Sequence, residues 1–465
     1  MPNVPRLVIS AIRGGLGKTT ISLGVIASWR EGGRQIAPFK KGPDFIDAGW
    51  LGAAARRSCH NLDLFLMEEE TVRRSLVQHT ADVDAAVIEG NRGLFDGVDE
   101  AGTFSTARLA RMIGAPVVLI VDCTKSSSTV AAVVLGCRQF DPHVRIGGVI
   151  LNNVASKRQE SVIRKAIAQS SGIPVVGAVP RLRQGDFPER HMGLTPFHEH
   201  PDVESAIAAS LQVATRYLDL DAMWQIAGES TPLGVVKDMQ SAREIAKPPR
   251  VGVIKDRAFQ FYYPENLAAL ITAGAEVREI NALTDRKLPD IDALYIGGGF
   301  PETQAAELAA NRSFCSSLRD AAEDGLPIYA ECGGLIYLGR NLRVGDATYA
   351  MTSVLPADFV LETRPQAHGY TIVQVSEANP FFEMNSTIRG HEFHYSRIVN
   401  LDELPGMVFS MQRGKGIDGS RDGLIYKNVL ATYTHIHALG TPAWAPAVVG
   451  SAERYREQKR QGMLQ

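Results

Sequence analysis

The chain has little excess charge, few cysteines and no long apolar run, and each shortage excludes something. Its 465 residues hold 49 Lys and Arg against 51 Asp and Glu, a formal net charge of −2. That balance offers none of the cationic excess by which a protein holds nucleic acid or another polyanion. Its five cysteines, Cys59, Cys123, Cys137, Cys315 and Cys332, are scattered and include no Cys-x-x-Cys pair. An odd, dispersed set fits a reducing cytoplasm better than a disulfide framework. No stretch reaches the roughly 18 apolar residues that span a bilayer. The opening "MPNVPRLVISAI" lacks a basic region followed by a long apolar stretch and a cleavage site. A soluble cytoplasmic protein without nucleic-acid or membrane partners is expected. No internal repeat or low-complexity segment is present, and no pattern bears on oligomeric state.

What is present reads as two α/β domains. Hydrophobic residues at 45% and charged residues at 22% are globular values, and the length calls for more than one core. In the first half, "RLVISAI", "QIAPFK", "AAVIEG", "PVVLIVD", "IGGVILNNV" and "IPVVGAVP" alternate with amphipathic stretches. Continuous Val/Ile runs between helices indicate a parallel sheet covered on both faces. The pattern breaks in a polar stretch ending Lys-Pro-Pro-Arg, then resumes at "VGVIKD", "EVREIN", "ALYIGGG" and "LPIYAECGG". The expected division is a domain over 1–225, a linker over 226–249, a second α/β domain over 250–450, and a charged, solvated helical tail over 451–465.

"VISAIRGGLGKTT" sets a glycine-rich turn between a strand and a helix. There, successive N–H groups from Gly14, Gly15, Gly17 and Thr20 and the helix N-terminus favour phosphate. Lys18 reaches the outer phosphates, and Thr19 can ligate Mg²⁺. Ile12 stands where the standard pattern has glycine, so the loop is a deviant form, with Arg13 where many such loops carry lysine. Magnesium needs further oxygen ligands, usually one or two carboxylates at strand ends. "APFKKGPDFIDAGW" offers Asp44 and Asp47. "AAVIEGNRGLFDG" offers Glu89 at a strand end, on the rim where the phosphate loop lies, and Asp96, which is equally a turn former.

The second half raises a different question in "AECGGL". A core cysteine needs no glycines around it, whereas a nucleophile benefits from a tight turn that exposes sulfur and frees N–H groups for an oxyanion. Cys332 falls on a strand–turn–helix, as a nucleophile elbow requires. Gly298 and Gly299, in "YIGGGFPE", and Gly333 are the candidate oxyanion donors. "LATYTHIHAL" offers His435 or His437 as the base. Cys59, Cys123, Cys137 and Cys315 lack such surroundings and are expected to be inert.

Together, "GKTT", "PFKKGPDFIDAGW", "VIEGNRGLFDG", "GVILNNV" and "PERHMGL" resemble the synthetase half of the cobyrinate a,c-diamide synthase family, a half similar to dethiobiotin synthetase in fold. Residues 250 to 440 resemble the class I glutamine amidotransferases. The resemblance implies ATP- and Mg²⁺-dependent activation of a carboxylate as an acyl phosphate, then amidation by ammonia from L-glutamine along a sheltered route. The implied substrate is a corrinoid or related tetrapyrrole polycarboxylate, cobyrinate in cobalamin synthesis. It further implies that Thr19, Asp44 and Glu89 serve Mg²⁺, and that the loops bearing Asp44, Phe45, Ile46, Asp47 and Asp96 face the substrate. Asn152, with Asn153 beside it, matches the position that holds adenine. His435 holds the Tyr-x-His position of the base and is preferred over His437. The glutamate that usually follows the base by two is replaced by His437, so a Cys–His dyad is implied and the group orienting the histidine is open. His391 and His394, in "RGHEFHYS", are expected to be structural or to line the glutamine pocket. Hydrogenobyrinate, nickel-sirohydrochlorin and sirohaem remain rival substrates. A ParA/MinD-like switch ATPase is the rival class, which expects lysine at Arg13 and leaves the second half unexplained.

Overall fold

A computed structural model describes residues 4–182, 202–234, 243, 245–402 and 406–462. The motif "PERHMGL" and part of the expected linker lie outside the described residues. The chain divides into two compact units, Met1–Asp238 and Met239–Gln465.

The first unit is built on seven parallel strands: β1 (Arg6–Ala11), β2 (Ile36–Lys41), β3 (His60–Leu62), β4 (Ala85–Glu89), β5 (Val117–Asp122), β6 (Ile146–Val154) and β7 (Val175–Pro180). They lie in the order β3-β2-β4-β1-β5-β6-β7. Leu7, Ile9 and Ala11 on β1 and Val118 and Ile120 on β5 join one buried cluster, as a sheet covered on both faces demands. Helix α1 (Lys18–Glu31) crosses the helix Val203–Tyr217 so closely that a Cβ at Gly24 would collide with the Ser210 carbonyl. Only glycine permits that approach.

The second unit carries a ten-stranded mixed sheet. Its parallel half is β8 (Arg250–Ile254), β9 (Glu276–Ile280), β10 (Ala293–Ile296) and β11 (Ile328–Glu331), joined by β20 (Val429–Thr432). From β20 the sheet continues antiparallel through β19 (Arg421–Tyr426), β18 (Met407–Arg413), β15 (Ala367–Val375), β16 (Thr387–His394) and β21 (His435–Ile436). Alternate residues of β10 feed two cores, Leu294 and Ile296 on one face and Ala293 and Tyr295 on the other. A separate four-stranded sheet is formed by β12 (Asn341–Val344), β13 (Ala347–Ala350), β14 (Ala357–Leu361) and β17 (Ser396–Leu401).

Two expected boundaries move. The helix Leu220–Gly228 runs past residue 225, and Ile226 and Ala227 are buried in the first core. Thr231 is also tied to that unit, through its N–H to the Gly114 carbonyl and its carbonyl to Arg6. The expected solvated tail begins inside the helix Trp444–Arg460, whose Trp444, Val448, Val449 and Ala452 are core residues. Reading its charged end alone hid the apolar stripe one turn upstream.

Candidate active site

The C-terminal ends of β1, β2 and β4 meet at the glycine-rich loop. Gly15 (φ 71°) and Gly17 (φ 73°) are left-handed, a conformation that favours glycine. A Cβ at Gly14 or Gly15 would meet nothing within 4 Å, so the loop faces open space. Helix α1 begins with no side-chain cap and no acidic residue in its first turn, which leaves the positive end of its dipole for an anion. Lys18 reaches back, its Nζ donating to the Arg92 carbonyl at 2.9 Å. Burial lowers its pKa and Lys40 adds to that, against the pull of Glu89, Asp47 and Asp96.

Lys40 and Glu89 stand opposite one another in the β2–β4 register. The Lys40 ammonium lies 2.7 Å from both Glu89 Oε1 and Asp47 Oδ2. Burial works against its charge, yet Asp47, Glu89 and Asp44 outweigh burial and hold it above the ordinary lysine value. Thr19 Oγ1 donates to Glu89 Oε1 at 3.1 Å and is 3.4 Å from Asp47 Oδ1. Glu89 Oε2 is buried and has no hydrogen-bond partner among the described residues. Burial raises the Glu89 carboxyl against the pull of Lys40, and burial with the Asp47 charge raises Asp44 to about 7. An unpartnered carboxylate oxygen beside a hydroxyl and a second carboxylate is a hard-oxygen set that fits Mg²⁺.

The other expected residues divide between this cluster and its supports. Phe45 precedes helix α2 (Ile46–Ala55), which Ile46 and Asp47 open. Asp44 Oδ1 accepts the Asp47 N–H at 2.8 Å, so Asp47 is the aspartate that reaches Thr19 and Lys40. Asn61 Nδ2 braces the loop from beneath, donating to the carbonyls of Gly42 at 2.7 Å and Asp44 at 3.0 Å. Asp96 accepts the Gly93 N–H at 2.8 Å and shapes its own turn. Asn152 Nδ2 donates to the Leu16 carbonyl at 3.1 Å, fastening β6 to the glycine-rich loop. Asn153, at φ 59°, donates to Asp122 Oδ1 at 3.2 Å. The other Asp122 oxygen takes Arg13 at 2.9 Å. Lys40 and Asn61 were not among the sequence candidates. The spacing of Lys40 just before "GPDFID" was the available signal for it.

In the second unit, Cys332 joins β11 to the helix Gly333–Leu338 at φ 47°, ψ −95°, sparsely populated backbone that surrounding contacts must enforce. Its N–H donates to the Thr432 carbonyl at 2.7 Å, and the Gly334 N–H to the Gly297 carbonyl at 3.2 Å. A Cβ on Gly333 would lie 3.0 Å from the Gly299 nitrogen, one on Gly299 would strike the Ala258 carbonyl, and one on Gly298 would strike His435 Cε1. The elbow and the candidate base therefore both border the Gly298–Gly299 backbone, which carries no side chains. Cys332 Sγ is 3.7 Å from the Phe393 carbonyl. Burial raises its pKa far above the ordinary thiol value, with the charges of Glu302 and Glu331 adding to the effect. A thiol so placed is protonated at rest and needs a base.

His435 is buried on β21 with its Nδ1 3.3 Å from Glu331 Oε2. His391, its partner in the β16–β21 register, stacks on it at 4.9 Å. Burial, then the neighbouring histidines, push His391 well below the ordinary value, so its ring is neutral. His437 turns elsewhere: its Nε2 is 3.6 Å from Glu265 Oε2 and its Nδ1 accepts the Leu439 N–H. His394 bonds the Ser396 carbonyl at 2.8 Å and stacks on Tyr433. Burial raises the thiols of Cys123 (to about 11), Cys137 and Cys315, and Cys59 is buried.

Residues 250–443 match the CobB/CobQ-like glutamine amidotransferase domain family, and 61–189 match an AAA domain. The cobyrinate a,c-diamide synthase of Magnetococcus marinus is 42% identical over 95% of this chain and 96% of its own. That of Archaeoglobus fulgidus is 38% identical over 97% and 98%. The chain belongs to the cobyrinate a,c-diamide synthase family. A solved glutamine amidotransferase shares 20% identity over 44% of this chain and 98% of its own, with a TM-score of 0.34, too weak a likeness to add to the argument. The amidotransferase match contains Cys332 and His435, and the AAA match contains Glu89 and Asn152. Among the described residues no helix is long and apolar enough to cross a membrane.

Proposed function

We propose that the chain amidates the a and c acetate carboxylates of cobyrinate, using ATP and the ammonia of glutamine, in the cytoplasm. The observation that carries the reading is the presence, in one chain, of a phosphate-loop site with a carboxylate cluster and a strained cysteine elbow with a buried histidine. A switch ATPase has no use for the second. On the glutamine side, His435 takes the Cys332 proton as sulfur attacks the side-chain carboxamide carbon. Gly298, Gly299 and Gly333 are the N–H donors assigned to the oxyanion. Ammonia leaves with a proton returned by His435, and water then hydrolyses the thioester. On the ATP side, a substrate carboxylate oxygen attacks the γ-phosphorus and ADP leaves. Ammonia then attacks the acyl phosphate and inorganic phosphate departs.

Mg²⁺ would be held by Thr19, Glu89 and the Asp44–Asp47 pair, and supplies charge stabilisation to the phosphates. Lys18 steadies the outer phosphates, Lys40 balances the carboxylates, and Asn152 fixes the loop beside the nucleotide base. The polar loops at Asp44–Asp47 and Asp96 are assigned to the polycarboxylate substrate.

The test is Cys332→Ser, with ADP and diamide measured separately with glutamine and with concentrated ammonium salt at alkaline pH. Loss with glutamine and retention with ammonia is expected; glutamine use at the wild-type rate would overturn the reading. Mass spectrometry of products from cobyrinate, hydrogenobyrinate, sirohaem and nickel-sirohydrochlorin tests the substrate, the first giving a two-step amidation.

A further inference from the structure

In the class I glutamine amidotransferases an acid usually stands two residues beyond the base; His437 holds that place here, and a histidine carries no negative charge to set against an imidazole that becomes charged. Something else must fix the tautomer of His435. The residue immediately before the nucleophile does so in space. Glu331 is the last residue of β11, and strand alternation sends its side chain away from the turn that displays Cys332. Its Oε2 lies 3.3 Å from His435 Nδ1, and its Oε1 accepts the Ile436 N–H at 3.2 Å. Both side chains are buried, Glu331 at 1% exposure and His435 at 2%. We propose that Glu331 is the positioning carboxylate of the glutaminase site, completing a Cys332–His435–Glu331 triad whose acid and nucleophile are neighbours in the chain.

The carboxylate is itself held. Tyr295 donates its hydroxyl to the same Oε2 at 3.2 Å. Asn266 donates to the Tyr295 hydroxyl at 3.3 Å and to the Ile436 carbonyl at 3.0 Å, while its own carbonyl takes the Ala438 N–H at 2.7 Å. These bonds clamp the chain immediately after His435, which holds the ring against its partner. With Oε2 accepting at Nδ1, the Nδ1–H tautomer is fixed and Nε2 is the ring nitrogen assigned to the thiol proton. As His435 becomes imidazolium, the buried Glu331 charge compensates it with no reorganisation. His437 cannot substitute, because its own carboxylate contact is Glu265.

The inference rests on Cys332 being the glutaminase nucleophile, and the experiment separates the two. Glu331→Gln keeps the size and the acceptor oxygen but removes the charge. It is expected to lower the glutaminase kcat by up to about 10⁴-fold, the loss that follows replacement of a triad acid by its amide, with little change in KM for glutamine and unchanged ammonia-dependent amidation. Glu331→Asp should restore part of the rate. Tyr295→Phe removes a donor from the same oxygen but spares the charge, and should cost only a few-fold. A low-field proton resonance from His435 Nδ1–H, absent in His435→Ala, should move upfield in Glu331→Gln. If Glu331→Gln turns over glutamine normally while Cys332→Ser does not, the triad is overturned and the glutaminase reading stands. Equal losses in Glu331→Gln and Tyr295→Phe, or a parallel loss of ammonia-dependent activity, would also overturn it by making the network purely structural. If Cys332→Ser itself remains active with glutamine, the glutaminase reading fails first.

Discussion

The two sites use glycine for opposite reasons. In the first unit, Gly14 and Gly15 have open space where a side chain would go, room that the proposed function assigns to a phosphate. In the second, Gly298, Gly299, Gly333 and Gly334 are pressed against His435, Ala258, the Gly299 backbone and the Ile296 carbonyl, and the glycines let protein approach protein. The electrostatics divide the same way. The first site gathers two lysines, Lys18 and Lys40, with three carboxyl groups, Asp44, Asp47 and Glu89, in one largely buried cluster with a Glu89 oxygen still to fill. The second pairs one histidine with one carboxylate and relies on a constrained backbone. One site is organised to receive charge, the other to hold a geometry.

The contrast can be broken in four ways, from the largest expected effect to the smallest. Lys18→Ala removes the ammonium assigned to the outer phosphates and should lower amidation by about 10³-fold with glutamine and with ammonia alike; near-normal rates at saturating ATP would dissolve the charge-receiving half of the comparison. Gly298→Ala drives a methyl into His435 and should cut glutamine-dependent turnover by about 10²-fold while ammonia-dependent product formation, measured in parallel, stays at the wild-type level. Glu89→Gln keeps shape but loses charge, so the Mg²⁺ concentration for half-maximal ammonia-dependent activity should rise by about 10-fold; an unchanged titration would remove Glu89 from the metal set. Gly14→Ala, with nothing within 4 Å, should leave stability within about 0.5 kcal/mol of wild type by thermal unfolding and raise the KM for ATP only a few-fold. If Gly14→Ala unfolded the protein and Gly298→Ala were silent, the two glycine classes would be the wrong way round.

The sequence disclosed the parts of each site that are continuous in the chain. Strand, glycine turn and helix are adjacent in "VISAIRGGLGKTT" and in "LPIYAECGG", so local pattern sufficed for Lys18, Thr19 and Cys332. Lys40 was missed because Lys-Lys at a strand end reads as a solvated edge, and only the β2–β4 register turns it inward toward Glu89. Asn61 was missed because it acts on carbonyls of a loop seventeen or more residues upstream. Glu331 stood beside the cysteine throughout. Its partner arrives only when β21 pairs with β16, which no local pattern announces. The antiparallel half of the second sheet was equally hidden, since helix–strand alternation extends no further than β11.

Asp422 gives the second site one more property. This buried carboxylate accepts from the hydroxyls of Thr432 and Thr434 and from the N–H groups of Tyr433 and Thr434, the residues leading into His435. The Thr432 carbonyl in turn takes the N–H of Cys332. Nucleophile and base thus hang from one anchor, and loss of that anchor should release both. Their amides should exchange with solvent at a common rate, and a breathing motion that releases the histidine also relaxes the strained elbow.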